Sequence, residues 1–348
     1  MNEGAAHVLE TLRRERATVS GESLSSRLGV SRAQIWKHVE TLRALGYAIE
    51  GEPVGGYRLA GPPDRLYAEE VLPRLHTRWL ARRYHWLDQT DSTNRVAAEL
   101  AREGAPHGTT VVAEGQTAGR GRLGRRFFSP PYANLYTSIV LRPALDTARA
   151  PTTILAAAVA VAESVARFLT EDADVAIKWP NDVQIAGRKT SGILMEMTAE
   201  ATRVGHLVLG IGVNLNVARD ALPEEFRAVA TSVAAERGER VDRAAFAACL
   251  YDTLEAVLDL HAQDGFDAVR PRFEARFRMR GRRVRILDAA GAPSTVLEGV
   301  ATGIDADGAL LVARDDGTVE RVVAGDVTIA KDPPAAAGAT QPAVERRA

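Results

Sequence analysis

Residues 114–126 read Glu114-Gly-Gln-Thr-Ala-Gly119-Arg120-Gly121-Arg122-Leu-Gly124-Arg125-Arg126 and follow an apolar, β-like run at 109–113. Glycines let the backbone approach a ligand closely, and successive amides can cradle an anion. Four arginines within seven residues add fixed charge and forked donors suited to phosphate and carboxylate. The stretch lacks the Gly-Lys-Ser/Thr ending of a P-loop and is not the G-x-G-x-x-G of a dinucleotide fold. A flexible Arg/Gly surface loop is the competing reading. Around it, residues from about 64 to 275 alternate strand-like and helix-like patterns, which predicts a mixed α/β domain.

Four further runs fall in that domain. Lys178-Trp-Pro-Asn-Asp182 ends a short strand at Pro180, because proline cannot continue a ladder, and this places Lys178 and Asp182 at a strand end. Trp179 also reads as core, and Asp182 as a turn residue. Arg188-Lys189 lead into a β-run containing Gly192, which an ordinary basic turn would also explain. Gly210-Ile-Gly212-Val-Asn214 is a glycine-punctuated strand, equally readable as a buried strand with bulges. Asp91-Ser92-Thr93-Asn94 precedes a helix-like run, where such residues are usually caps.

At the N-terminus, Val8, Leu9 and Leu12 form one helical stripe, and Leu24 and Leu28 a second. Gly29 turns the chain, and Ser31-Arg-Ala-Gln34 reads as a capping box. Ile35, Val39 and Leu42 give the next helix an apolar face, with Arg32, Lys37 and His38 expected outward. Gly51, Gly55 and Gly56 lie between apolar residues, as in a β-hairpin wing. Two helices joined by a tight turn, the second capped and basic, is the geometry that enters a major groove. The DNA-contacting candidates are Ser31, Arg32, Gln34, Lys37 and His38. Residues 1–60 carry eight basic against seven acidic residues, so local geometry rather than bulk charge must do the binding.

The 348 residues exceed one ordinary core. A net charge of -1 provides no global attraction for nucleic acid or membrane. The single cysteine, Cys249, excludes an internal disulfide and reads as a small core residue on a helix. The apolar run at 154–165 is shorter than the ~20 residues of a membrane span, and no signal-peptide pattern opens the chain, so a cytoplasmic protein is expected. No H-E-x-x-H or G-x-S-x-G pattern occurs.

Taken in order, Asp91–Asn94, Gly119–Arg122, Asn134-Leu-Tyr136, Lys178–Asp182, Arg188-Lys189 with Gly192-Ile-Leu194, and Gly210–Asn214 resemble the biotin protein ligase family. The resemblance covers residues 5–330. Each motif is weak alone, and six in order are specific. The head further resembles the bifunctional ligase–repressor branch.

That resemblance implies an α+β multidomain architecture. A winged helix-turn-helix would span 1–62, a central mixed α/β ligase domain 63–278, an SH3-like β-barrel 279–331 and a disordered tail 332–348. It implies that biotin is activated with ATP as biotinyl-5′-AMP and transferred to a lysine of a biotin carboxyl carrier protein, of acetyl-CoA carboxylase or a similar biotin-dependent enzyme. Repression of biotin biosynthesis genes, operator DNA binding and an adenylate-driven homodimer follow from the branch. Ser92, Thr93, Asn94 and Gln116 would line the biotin site. Gly119, Arg120, Gly121 and Arg122 would form the closing loop, with Gly192 and Asn214 also lining the site. Arg122, Lys189, Lys178 and Asp182 are the catalytic candidates, Lys189 at the carboxylate–phosphate junction. Asp182 would hold the Mg²⁺ that accompanies ATP or orient the lysine amine. Where the branch's type member carries Trp-Phe after the basic loop, this chain has Phe127-Phe128. That keeps a stacking face and loses an indole hydrogen bond. Three other readings stand beside this one: a lipoate ligase, a transcriptional regulator whose ligase domain only senses its ligand, and a ligase whose head no longer binds an operator.

Overall fold

The computed structural model describes residues 1–52, 54–287, 295–323 and 325–329. The tail expected at 332–348 lies outside them.

The head consists of α1 (Glu3–Glu15), α2 (Gly21–Leu28), α3 (Arg32–Ala44) and a hairpin of β1 (Ala48–Glu52) and β2 (Gly56–Gly61). Val8, Leu9, Leu12, Leu24, Ile35, Val39 and Leu42 close its core, as their spacing predicts. The Ser31 hydroxyl accepts from the Gln34 amide at 3.2 Å, but the Gln34 side chain meets the His38 ring at 3.4 Å, so only half of the capping box forms. His38 is buried rather than outward. It follows Ile35 by three positions, and Gly4 on α1 leaves room for the imidazole, which any side chain there would overlap.

The head is docked on the next domain. Glu70, buried in α4 (Ala68–Val71), accepts from the Tyr47 hydroxyl at 2.6 Å and from Arg13. Tyr67 stacks on Tyr47 and packs edge-on to Trp86.

The central domain runs β3 (Tyr84–Thr90), α5 (Thr93–Arg102), β4 (Thr110–Gln116), β5 (Leu135–Leu141), α6 (Thr152–Arg167), β6 (Val175–Lys178), β7 (Asp182–Ile185), β8 (Arg188–Glu200) and β9 (Arg203–Val213). Then come α7 (Val233–Arg237), α8 (Arg243–Asp264) and α9 (Phe266–Arg276). The sheet order is β3-β4-β5-β9-β8-β7-β6, with only β3 and β4 parallel. Because strand side chains alternate, Val112, Ile139 and Leu209 face α6 and α8, while Val111, Val140 and Val208 face Ala97 and Ala101 of α5. The apolar run at 154–165 is thus a buried core helix. No helix among the described residues is long and apolar enough to cross a membrane. Cys249 is half-buried on α8, beside Arg167, rather than in the core.

The last domain is an antiparallel sheet, ordered β13-β12-β11-β10-β14, from β10 (Arg283–Leu287), β11 (Thr295–Ile304), β12 (Leu310–Ala313), β13 (Val319–Val322) and β14 (Asp326–Ile329). Asp305–Gly308 and Asp315–Gly317 make the expected turns, with left-handed glycines at 308 and 317. Among the described residues the edge strands β13 and β14 do not pair with each other, so the strand pairing gives an open sheet instead of the closed barrel expected.

Candidate functional site

The ends of β4, β6 and β9, the starts of α5, β7 and β8, and the Arg/Gly loop converge on one cavity of about 820 Å³. Its floor is a cross-strand row. Lys178 pairs with Asp182, Asp182 with Gly192, Gly192 with Gly212, and Gly212 with Tyr136. Directly opposed residues share a sheet face, so the row is one surface. Two glycines at its centre make a trough, with a lysine and an aspartate at one end and Tyr136 at the other. A Cβ at Gly212 would overlap the Phe127 ring, and one at Gly192 would stand 3.1 Å from Lys189 Nζ. Lys189 Nζ in turn lies 2.6 Å from Asp182 Oδ1. Lys178 has no ion-pair partner among the described residues.

The biotin-side candidates form a bonded cluster. Gln116 Oε1 accepts from the Thr93 amide at 2.8 Å and the Thr93 hydroxyl at 3.1 Å, while its Nε2 donates to Ser129. Asn94 Nδ2 donates to Glu196 at 3.1 Å, and Asn94 Oδ1 accepts from Ser138 at 2.6 Å. Each amide therefore keeps one N–H for a ligand. Ser92 precedes α5 but makes no side-chain cap, so its hydroxyl is available to a ligand. Asn214 is tied to Thr231 and Asn134 and lines the cavity. Burial pushes the Tyr136 hydroxyl up from its ordinary range, and it donates to Pro130 O at 2.9 Å.

The basic loop folds back over this floor. Arg120 bridges to Arg126, and the Gly121 amide donates to Arg125 O at 2.6 Å. Arg122 reaches Asn181 Oδ1 at 3.1 Å and the Gly325 carbonyl at 3.2 Å, joining the loop to the Lys178–Asp182 run and to the C-terminal sheet. Trp179 makes a second link: it is buried and donates to Gly308 O at 2.9 Å.

The structure thus brings Ser92, Thr93, Asn94, Gln116, Arg120, Gly121, Arg122, Lys178, Asp182, Lys189, Gly192 and Asn214 to one cavity. Gly119 is not among the lining residues. A Cβ there would overlap Ser129 and the Phe127 carbonyl, so this glycine serves chain packing behind the site. Sequence reasoning missed Ser138 and Glu196, although a serine inside the apolar strand 135–141 is a visible signal. It also missed Phe226 and Val229, exposed residues lining the cavity from a segment whose backbone pairs with Lys189. Nothing local marks those two, because their neighbour is distant in sequence.

No group of three or more metal-ligating side chains occurs among the described residues, and Asp182 is already paired with Lys189. This donor set does not fit a resident metal held by protein alone.

A site of facing cations and glycines on this sheet, carried behind a helix-turn-helix head, belongs to a definite class. Residues 86–214 match the Biotin/lipoate A/B protein ligase family, 5–58 an HTH domain, and 281–329 the Biotin protein ligase C terminal domain. The Bifunctional ligase/repressor BirA of Bacillus subtilis is 36% identical over 311 residues, covering 89% of this chain and 94% of that protein. Its Escherichia coli namesake is 35% identical over 310 residues, covering 89% and 92%. The structure of the Biotin protein ligase from Aquifex aeolicus in complex with biotin and ATP aligns with a TM-score of 0.61 at 26% identity, over 72% of this chain and 99% of that one. The chain belongs to the biotin protein ligase family.

Proposed function

We propose that the protein activates biotin with ATP and transfers it to a carrier-protein lysine, and that its head represses biotin biosynthesis genes. A biotin carboxylate oxygen attacks the α-phosphorus, the bond to pyrophosphate breaks, and biotinyl-5′-AMP remains bound. The lysine amine then attacks the mixed anhydride carbonyl, and AMP leaves. The observation that carries this reading is the Lys178–Asp182–Gly192–Gly212 row beneath the arginine loop, with Lys189 at its centre. The two glycines keep the floor low beneath Phe127 and Lys189, so two anionic substrates can lie end to end there, and fixed cations neutralise charge growing at phosphorus. Lys189 stands at the carboxylate–phosphate junction, and Asp182 orients its ammonium. Mg²⁺ enters as part of the nucleotide substrate, held chiefly by its phosphates. Loop closure through Arg122 excludes water from the anhydride. The C-terminal sheet takes the part of the family's SH3-like domain and caps the nucleotide side. The carrier is the biotin carboxyl carrier protein of acetyl-CoA carboxylase or a similar enzyme. Two adenylate-bound copies bind a two-fold operator.

The test is biotin-dependent pyrophosphate release with Mg-ATP, followed by transfer to a carrier domain read on a streptavidin blot. Both signals are expected. Biotin binding without either signal would overturn the ligase reading in favour of a regulator that senses its ligand.

A further inference from the structure

The outward face of α3 differs from the one its sequence pattern predicts. The Ser31 hydroxyl serves the helix cap, Arg32 faces Glu22 at 3.1 Å, Gln34 leans on His38, and His38 is buried. The centre of the exposed face is instead Trp36, one turn beyond Arg32 and beside Lys37. Its side chain is 46% exposed. Its indole N–H has no hydrogen-bond partner among the described residues. Ala33, one turn earlier on the same face, leaves the ring open to approach. A lone exposed apolar residue needs no explanation in general. This one stands in the N-terminal half of α3, the helix that in a helix-turn-helix lies in the major groove with its N-terminal residues on base edges.

We propose that Trp36 is a sequence-reading residue of the head, packing its ring on the 5-methyl group of a thymine in the major groove. This rests on the repressor reading above. The major groove is where thymine displays that methyl, and apolar contact is the way it is read. Lys37, exposed beside Trp36, supplies the neighbouring phosphate contact. Burying one methyl strengthens binding about fourfold, from ~0.8 kcal/mol per buried carbon.

The experiment selects binding sequences from a randomised duplex DNA library with the full chain, in the presence of biotin and Mg-ATP. The enriched duplex is then remade with deoxyuridine at each thymine in turn, which removes the methyl and keeps base pairing. Wild type is expected to enrich a two-fold sequence and to lose about fourfold at one symmetric thymine position. Trp36→Ala should bind the thymine duplex roughly tenfold more weakly and be indifferent to that replacement, with unchanged circular dichroism and melting of the head reporting an intact fold. Trp36→Phe, which keeps a ring without the N–H, should retain the uracil effect. If wild type enriches a sequence but Trp36→Ala binds it equally well, or keeps the uracil effect, the assignment of Trp36 is overturned and the repressor reading survives. Loss of the uracil effect in Trp36→Phe would overturn the methyl contact. If wild type enriches nothing, the repressor reading itself fails and this inference goes with it.

Discussion

Arg243 offers the sharpest test of how the site is held. Its side chain and that of Glu114 are both 0% exposed, and the two are paired at 2.9 Å. The guanidinium also donates to Asn134 O at 3.1 Å and to Asp64 at two oxygens, each at 2.7 Å. Glu114 accepts further from the Leu66 amide at 2.7 Å and Trp86 Nε1 at 3.1 Å. The cluster thus joins the chain just after the head to β4, two residues before Gln116. Arg243→Met would leave the Glu114 carboxylate buried with two neutral donors. Removing one partner of a buried pair costs about 3–5 kcal/mol, because the other charge is left uncompensated. For a domain of this size that corresponds to a fall in melting temperature of roughly 6–20 °C. Adding Glu114→Gln removes the orphaned charge while keeping an acceptor for Leu66 and Trp86. The double variant should therefore melt above Arg243→Met, with a coupling of about 1 kcal/mol or more. Calorimetry on the four proteins measures both quantities. A single variant melting within about 2 °C of wild type, or a double variant that loses the sum of the two single losses, would refute the reasoning.

Three further outcomes are expected. Lys189→Met should lower kcat for pyrophosphate release by about 10²–10³, the scale of one lost charge-stabilising donor, and a loss below about fivefold would remove Lys189 from the chemistry. Gly210→Ala places a methyl on Asn94 Oδ1 and must displace the amide that Ser138 and Glu196 hold. It should raise KM for biotin roughly tenfold, the low end of overpacking costs of about 1–3 kcal/mol, and an unchanged KM would show that Asn94 does not shape the biotin site. His261 is buried against the Thr152 hydroxyl at 2.7 Å, and burial holds its imidazole below the ordinary 6.5. The folded state therefore disfavours the proton that the unfolded chain accepts. Its contribution is whole above about pH 6.5 and is lost as pH falls through the lower folded value. Melting temperature should drop between about pH 7 and 5, and His261→Gln should flatten that drop; an identical pH profile for the variant would count against it.

Much of the protein was legible along the chain. The α3 stripe of Ile35, Val39 and Leu42, the stop at Pro180 and the turns at Gly308 and Gly317 are local matters of periodicity, ring geometry and φ, and each appears where the residues put it. The six motifs named the family because their residue types and order are themselves linear information. The structure alone decided which residues meet. Gly192 and Gly212 read as two weak signals 20 residues apart until strand register set them face to face between Asp182 and Tyr136. Gly119 looked like its neighbours in the loop, yet packs behind the cavity. His38 looked outward from the charge pattern, yet Gly4 on another helix gave its ring a place inside and left Trp36 on the surface. Periodicity fixes which face of an element a side chain occupies. What covers that face depends on register and packing between segments far apart in the chain, and those interactions have no linear code.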